Sequence, residues 1–169
     1  MIINNYRYLV RAFPQIKHVF FDFDGVFTPN TVAVNERGEE TALCNRADGI
    51  GLQKLLKIQM SFSIISSEKN PIVRERAKKL AIPVDFGVTN KLEFARVKMT
   101  GSDISMDHVA FMGNDDNDLE LLKAVALSIC PADSWPSVME TCDLVTQRQG
   151  GGGCVRELCD ALYEIRRIK

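Results

Sequence analysis

Residues 20–26, FFDFDGV, place two carboxylates two positions apart at the end of an apolar run, with a glycine directly after them. A buried strand ending at Asp22 would hold this side chain rigidly at a sheet edge, where a carboxylate can bind a hard cation or attack phosphorus. Asp24 would lie beside it and could transfer a proton. The alternative is an ordinary surface turn, because Asp and Gly are common turn formers after any strand.

Apolar runs of strand length alternate with helical periodicity along the chain, which is the pattern of βαβ units around a parallel sheet. The predicted strands cover residues 17–22, 61–65, 84–86, 108–112, 126–129 and 143–145. The predicted helices cover residues 4–12, 49–59, 71–80, 91–99, 117–124, 135–140 and 154–167. Asn70 and Pro71 supply an N-cap and a proline at the first helical position for one of these helices.

Length and composition limit the classes of protein. A chain of 169 residues with 46% hydrophobic content builds one well-packed domain, predicted here to span residues 1–169. The net charge is −1, from 21 basic and 22 acidic residues, which gives no electrostatic reason to expect nucleic acid or an anionic membrane as a partner. No apolar segment approaches the roughly 20 residues that span a bilayer. We expect a cytoplasmic protein that acts on a small molecule.

Two segments depart from the alternating pattern. Residues 28–47 contain two β-rich pieces around NERGEE and no apolar helix face, which predicts a β-hairpin or flap next to the double-aspartate segment. Such a flap could cover a ligand. The four glycines at 150–153 predict either a flexible turn or a close approach to a ligand or a neighbouring subunit.

Three further strand ends carry polar groups, and ligands collect beyond the carboxyl ends of parallel strands. Ser66 follows one strand, Lys91 follows the next at the start of a predicted helix, and the acidic loop 113–118, GNDDND, follows a third. Each has a plain alternative. Ser66 and the acidic residues could simply cap helices, and Lys91 could be a solvated surface lysine.

The order of these segments resembles that of the haloacid dehalogenase superfamily of phosphohydrolases, over nearly the whole chain. FFDFDGV corresponds to motif one, Ser66 to motif two, Lys91 to motif three and GNDDND to motif four. The resemblance implies a three-layer, Rossmann-like α/β fold with a parallel sheet. Since the chain is short for this superfamily, we expect no large cap domain, and only the small β-hairpin flap of residues 28–47.

The resemblance also implies roles for the motif residues. Asp22 would be the nucleophile that forms an aspartyl-phosphate, and Asp24 the general acid and later the base. Ser66 and Lys91 would hold the transferred phosphoryl oxygens. Magnesium would be the cofactor, and its implied protein ligands are Asp22, Asp24 through its carbonyl, Asn114 and Asp115, with Asp118 available for an outer-shell water.

Within the superfamily, the chain resembles the capless phosphatases of 3-deoxy-octulosonate 8-phosphate and of nonulosonate (sialic-acid-type) 9-phosphates. The likeness extends to GEE at 38–40, RADGIG at 46–51 and GGGGCVREL at 150–158. It implies a phosphorylated 2-keto-3-deoxy sugar acid as substrate, a place in lipopolysaccharide or sialic acid biosynthesis, and a homotetramer in which the flaps associate. The implied substrate contacts are Arg46, Asp48, Ser67, Glu68, Lys69 and Arg156.

The chain departs from the family pattern at three places. Motif four usually begins Gly-Asp-Asp, whereas Asn114 stands at the first aspartate here, so a neutral amide oxygen would ligate the metal. The arginine of the terminal Gly-Gly-Arg-Gly is replaced by Gly152, and Arg148 or Arg156 would substitute for it. The Glu68-Lys69 pair stands where octulosonate phosphatases have Gly-Arg, which favours the nonulosonate branch.

Two hypotheses from other classes stay open at this point. The altered residue Asn114 and the missing arginine are compatible with a catalytically weak relative that serves as an assembly or regulatory domain, although the other motif residues are intact. A receiver-type phosphoacceptor signalling domain also combines acidic residues, a hydroxyl and a lysine on an α/β sheet. Receivers are shorter and lack the D-x-D-G segment on the first strand.

Overall fold

The computed structural model describes residues 2–3 and 13–167, and the helix predicted over residues 4–12 lies outside them. The strands are β1 (Ile2–Ile3), β2 (His18–Phe21), β3 (Ala33–Val34), β4 (Glu40–Thr41), β5 (Ser61–Ile65), β6 (Val84–Asp85), β7 (Val109–Met112), β8 (Leu127–Cys130) and β9 (Leu144–Val145). The α-helices are α1 (Ala47–Lys57), α2 (Ile72–Leu80), α3 (Lys91–Thr100), α4 (Leu119–Leu122), α5 (Pro136–Thr141) and α6 (Cys154–Arg167). Short 3₁₀ turns cover Phe13–Gln15, Met106–His108 and Asp116–Asp118.

Seven strands form one sheet in the order β1-β9-β8-β7-β2-β5-β6. The pairings from β9 through β6 are all parallel, and only β1 at the edge runs antiparallel to its neighbour. The strand that carries the double-aspartate segment, β2, lies between β7 and β5. Parallel strands point their carboxyl ends to the same edge, so the polar segments that follow β2, β5, β6 and β7 share that edge.

The sheet is covered on both faces by helices. Along β2, Val19 and Phe21 pack into one hydrophobic core and Phe20 into the other, as the alternating sides of a strand require. The first core takes side chains from α1, α2 and α6, and the second from α3, α4 and α5. Burial on both faces explains why the HVFF segment is apolar throughout. The result is the predicted three-layer α/β fold.

The predicted elements agree with the structure to within one or two residues at most ends, and the fold class is confirmed. The helix expected at 71–80 begins at Ile72, so Pro71 stands at the N-cap position predicted for Asn70, and Asn70 Oδ1 accepts from the Ile72 amide at 3.0 Å. The helix expected at 117–124 is wrong in extent, because its first turn is 3₁₀ and α4 is a single short turn. The edge strand β1 has only two residues and therefore no periodicity that the sequence could show.

The predicted flap is a β-hairpin, in which Ala33 pairs with Thr41 and Val34 with Glu40. Asn35 closes the turn, because its Oδ1 accepts from the amides of Arg37 at 2.9 Å and Glu39 at 3.0 Å. Both strands of the hairpin are exposed. No large cap domain is inserted among the described residues, so the hairpin alone rises beside the end of β2.

The glycine-rich segment makes a close backbone approach to the turn that carries Asp24. The Gly151 amide donates to Val26 O at 3.0 Å, and the Gly150 amide donates to Asp133 Oδ1 at 2.8 Å. A Cβ atom at Gly150 would lie 2.1 Å from Gly25 O. The glycines therefore allow a close approach to the chain's own backbone, which neither predicted explanation named, and an approach to a ligand or a neighbouring subunit stays a prediction.

A Gly150→Ala substitution should lower the free energy of unfolding by about 1–3 kcal/mol, because the new methyl group overlaps the 25–28 backbone. The same displacement moves Asp24 and should reduce activity. Chemical denaturation measures the first effect. Gly101→Ala is the matched control, since the nearest atom to its added Cβ is 3.6 Å away, and its stability should be unchanged or slightly higher. Equal stability of the two variants would contradict the overlap.

Candidate active site

The ends of four neighbouring strands bring the motif residues to one edge of the sheet. Asp22 directly follows β2, and its amide donates to Met112 O at the end of β7 at 2.9 Å. Ser66 directly follows β5, and its amide donates to Asp85 O at the end of β6 at 2.9 Å. Asn114 comes two residues after β7. Because these residues leave adjacent parallel strands, their spacing is fixed by the sheet.

Lys91 lies between two buried carboxylates. Its Nζ is 2.8 Å from Asp22 Oδ1 and 2.6 Å from Asp118 Oδ1, and all three side chains are at most 7% exposed. Burial lowers the pKa of Lys91, but the two carboxylates outweigh it and raise that pKa above its usual value. Burial raises the pKa of Asp22 although Lys91 opposes this. The interpretation of Lys91 as a solvated surface lysine is wrong.

Asp118 organises the motif-four turn, a role that the sequence did not reveal. Its Oδ2 accepts from the Asn114 amide at 2.9 Å and the Asp115 amide at 3.3 Å, while Oδ1 holds Lys91. Both carboxylate oxygens are therefore committed to the protein. A carboxylate has about four acceptor sites and these three contacts do not fill them, so a role of Asp118 toward an outer-shell water stays a prediction. The sequence contains one indication of this role, because Asp118 lies four residues after Asn114 in a turn that starts a helix.

The side chain of Asn114 is buried against Gly25, and a Cβ atom at Gly25 would lie 2.0 Å from Asn114 Nδ2. Gly25 also has a φ of +75°, so both conformation and space require glycine here. Asn114 Oδ1 is buried without a hydrogen-bond partner in the protein. An orphaned amide oxygen two residues after β7, the strand whose last carbonyl accepts from the Asp22 amide, adds to an all-oxygen donor set at this edge, which fits a hard divalent cation such as Mg²⁺.

Asp115 is held by protein contacts on both of its carboxylate oxygens. Oδ1 accepts from the Asp116 amide at 2.7 Å, and Oδ2 accepts from Trp135 Nε1 at 3.1 Å. Among the described residues, no group of three His, Cys, Asp or Glu side chains forms a metal-ligand cluster. A metal at this edge would consequently depend on the amide oxygen of Asn114, and a ligand role for Asp115 stays a prediction.

Asp24 and Ser66, which follow the neighbouring strands β2 and β5, are the two remaining predicted catalytic residues. Burial raises the pKa of Asp24, and the negative charge of Glu68 raises it further. Thr28 Oγ1 donates to Asp24 Oδ1 at 3.5 Å. Ser66 Oγ accepts from the Glu68 amide at 3.1 Å, which leaves its hydroxyl hydrogen for another acceptor. Asp24 thus supplies a carboxyl group that retains its proton more readily than usual, and Ser66 supplies a hydroxyl hydrogen that is free for donation.

A cavity of about 250 Å³ opens beside Asp24, between the flap and the loop after β5. Glu40 of the flap and Glu68 line it. The two walls are joined by Asn70 Nδ2, which donates to Glu40 Oε2 at 2.5 Å. The flap therefore borders the site, as predicted.

Ser67, Glu68 and Lys69 are the other predicted substrate contacts near this cavity, and they differ in whether they line it. Glu68 lines the cavity, but its Oε1 also accepts from the Lys69 amide at 2.6 Å. Ser67 Oγ accepts from Asn117 Nδ2 at 3.4 Å, which joins motif two to motif four. Ser67 and Lys69 are exposed and are not among the residues that line the cavity.

The predicted contacts from the RADGIG and GGGGCVREL segments lie together at the α1–α6 contact. Asp48 is fully buried, and its Oδ1 accepts from the Arg156 amide at 3.3 Å. Burial raises the pKa of Asp48 to about 6. Arg156 lines a separate cavity of about 440 Å³, and Arg46 is exposed at the start of α1. The structure does not bring Asp48 to the cavity beside Asp24, and its burial favours a structural role.

Comparison with known proteins identifies the family. Residues 64–158, more than half of the chain, match the model of the haloacid dehalogenase-like hydrolases. The 3-deoxy-D-manno-octulosonate 8-phosphate phosphatase KdsC of Escherichia coli K12 is 32% identical over 149 residues, which cover 88% of this chain and 79% of that protein. The chain belongs to the haloacid dehalogenase-like hydrolase family. This confirms the resemblance drawn from the four motifs.

Solved structures agree with this assignment. A 3-deoxy-D-manno-octulosonate 8-phosphate phosphatase from Moraxella catarrhalis, in complex with magnesium, phosphate and KDO, superposes with a TM-score of 0.91 at 26% identity. The superposition covers 96% of this chain and 94% of that one. The corresponding enzyme from Yersinia pestis gives a TM-score of 0.90 at 27% identity, covering 95% and 87%.

This hydrolase is a phosphatase, as predicted, and family membership favours an enzyme over an assembly domain or a receiver. In the part of the chain that the structure describes, no helix has both the length and the apolarity needed to cross a bilayer. A cytoplasmic location and the lack of a nucleic-acid partner stay predictions.

Replacing Lys91 by Met should lower the free energy of unfolding by about 3–5 kcal/mol, because two buried carboxylates lose their common cation. Urea denaturation at neutral pH measures the loss. Lys98→Met is the matched control, since the Lys98–Asp85 pair is about one-third exposed and should contribute about 1 kcal/mol or less. A Lys91→Met variant as stable as the control would show that the buried cluster is not a stability element.

Proposed function

We propose that this protein is a magnesium-dependent phosphomonoesterase that acts on a phosphorylated 2-keto-3-deoxy sugar acid through an aspartyl-phosphate on Asp22. The observation that carries the proposal is the buried contact of Lys91 Nζ with Asp22 Oδ1 at 2.8 Å, at the strand end where the motifs meet. The lysine holds the carboxylate in one orientation and places a cation where an anionic phosphate would arrive.

Two groups of the chain, Lys91 and Ser66, would bind the transferred phosphoryl group and aim it at Asp22. An ammonium has three donors, and Lys91 uses two of them on Asp22 and Asp118, which leaves one for a phosphate oxygen. The Ser66 hydroxyl hydrogen is also free to be donated, because its oxygen accepts from the Glu68 amide. These two donors would hold the phosphorus in line with an Asp22 oxygen.

Asp24 would protonate the departing sugar oxygen and then accept a proton from water in the second half-reaction. Its raised pKa supports the first step, since a carboxyl group that retains its proton is a better acid near neutral pH. Its position on the cavity wall supports contact with the sugar side of the substrate. One residue thus serves as acid and as base.

Asp22, Asn114 and the carbonyl of Asp24 would hold the magnesium ion, with Asp115 as a further predicted ligand. The orphaned Asn114 Oδ1 and the all-oxygen donor set support this assignment. When bound, Mg²⁺ neutralises negative charge so that an anionic nucleophile can approach an anionic phosphate.

The identity of the sugar acid is the more specific part of the proposal. The names of the relatives support 3-deoxy-octulosonate 8-phosphate as one candidate. The second candidate is a nonulosonate 9-phosphate, favoured by Glu68-Lys69 at the position where octulosonate phosphatases usually have Gly-Arg. Glu68 on the cavity wall can accept hydrogen bonds from a polyol or amide. Lys69 is exposed outside that wall, and a contact of its ammonium with the sugar carboxylate is part of the proposal.

A phosphate-release assay across both sugar-acid phosphates and glucose 6-phosphate tests the function. We expect kcat/KM for one sugar-acid phosphate to exceed that for glucose 6-phosphate by at least about 100-fold, because a site built for a carboxylate rejects a substrate without one. Activity should disappear when EDTA removes the metal. Equal, low activity on all three substrates would overturn the sugar-acid assignment.

Asp22→Asn should lower kcat by at least about 1000-fold in the same assay, since the amide is not a nucleophile. Asp103→Asn is the control, because Asp103 is exposed and its φ of +54° suits Asn equally well. Retained activity in Asp22→Asn would end the aspartyl-phosphate mechanism.

We also propose a homotetramer in which the flaps associate. Val34 and Leu43, on and beside the hairpin, are 60% and 74% exposed. A two-stranded hairpin is marginally stable alone, so association of these apolar residues with another copy would stabilise it.

Val34→Glu should shift the protein to a smaller species in sedimentation velocity, because a carboxylate would be buried between flaps. Val97→Glu, equally exposed on α3, should leave the assembly unchanged. A tetramer in the Val34→Glu variant, or a monomeric parent protein at micromolar concentration, would contradict this arrangement.

A further inference from the structure

The buried charges of the active site sum to a single negative charge before any metal binds. Asp22 and Asp118 contribute two carboxylates and Lys91 one ammonium, and Lys91 Nζ lies within 2.8 Å of an oxygen of each carboxylate. Asn114 sits in the same cluster and adds no charge, where an aspartate would add a second net negative charge. The half-buried Asp24 contributes equally in both cases. The identity of residue 114 therefore sets the net charge of the site.

Main-chain hydrogen bonds and side-chain packing both hold Asn114 in place. Its main-chain N–H donates to Asp118 Oδ2 at 2.9 Å, and its main-chain carbonyl accepts from the Trp135 amide at 3.3 Å. The side-chain amide packs on Gly25, and Oδ1 is buried without a partner. A substitution by Asp, which has the same shape, would therefore place a carboxylate at the same point.

We propose that Asn114 lowers the affinity of the site for the divalent cation and raises its affinity for phosphate. This inference rests on the proposed phosphatase function. With a divalent cation bound, the three buried charges and the metal leave a net charge of +1, which attracts a phosphate dianion. An aspartate at position 114 would bring this net charge to zero.

The physical reason is that both binding steps are electrostatic and respond oppositely to one added negative charge. A hard cation binds more tightly as the number of anionic oxygen ligands rises. A phosphate dianion at the same site is repelled by that carboxylate, and in a buried site this repulsion is weakly screened. One substitution should therefore move the two affinities in opposite directions.

Isothermal titration calorimetry on the full chain and its Asn114→Asp variant tests the proposal, with Mg²⁺ alone and then inorganic phosphate at saturating Mg²⁺. We expect the variant to bind Mg²⁺ at least about tenfold more tightly and phosphate at least about fivefold more weakly. The chain has one tryptophan. Trp135, at the start of α5, donates to Asp115 of the motif-four turn, so its fluorescence provides a second binding signal.

Thermal unfolding gives an independent signal. Without metal, the added buried carboxylate should lower the Tm of Asn114→Asp, because it lies near two other carboxylates. With Mg²⁺, the rise in Tm should be larger for the variant than for the parent protein. A variant that does not fold even with Mg²⁺ contradicts the proposal, since the metal is expected to compensate the added charge.

Two further variants separate charge from ligation. Asn114→Ala removes the ligand oxygen without a change in charge, so Mg²⁺ should bind at least about fivefold more weakly, while phosphate at saturating Mg²⁺ stays within about twofold. Asn90→Asp adds a carboxylate at an exposed helix cap, where Asp is as suitable as Asn, and both affinities should stay within about twofold.

The outcomes distinguish this inference from the proposed function. If the parent protein binds neither ligand and releases no phosphate from any substrate, the proposed function fails. If the parent protein is active but Asn114→Asp shifts both affinities in the same direction, or leaves Mg²⁺ affinity within twofold, the inference fails and the phosphatase assignment stands.

Discussion

One ammonium group between two buried carboxylates determines how the active-site edge is built. Lys91 Nζ contacts Asp22 and Asp118 at 2.8 and 2.6 Å, and these three residues come from the end of β2, the start of α3 and the turn before α4. Removing the Lys91 ammonium would leave two buried carboxylates without compensation, at a cost of several kcal/mol. The contact therefore joins three separate segments and fixes where the nucleophile candidate lies.

The position of the Lys91 charge is unfavourable within its own helix, and it is stabilised only by the carboxylates that surround it. A lysine in the first turn of α3 opposes the helix dipole, and burial further penalises its charge. The Asp118 carboxylate offsets both effects, and its second oxygen binds the Asn114 and Asp115 amides. The cluster that holds the lysine thus also shapes the loop expected to receive a cation.

The flap and the glycine segment border the site in place of a cap domain. Asn70 ties the loop after β5 to the flap, and the Gly150 segment packs on the backbone that carries Asp24. Asp24 consequently lies in a turn that packs against the Gly150 segment, and it lines a cavity of about 250 Å³. A small enclosure of this kind fits a compact phosphorylated substrate better than a polymer.

The sequence by itself determined the layered fold and the positions of Asp22, Ser66 and Lys91 at strand ends, because hydrophobic periodicity and the order of polar segments are local properties of the chain. Only the tertiary structure decided that Lys91 is buried between two carboxylates, that Asp118 braces the motif-four turn, that Asp48 is enclosed between α1 and α6, and that Gly150 touches Gly25. Each of these is a contact between residues far apart in the chain or a bond that depends on the shape of a turn. Such contacts depend on how the elements pack, and residue spacing does not encode that packing.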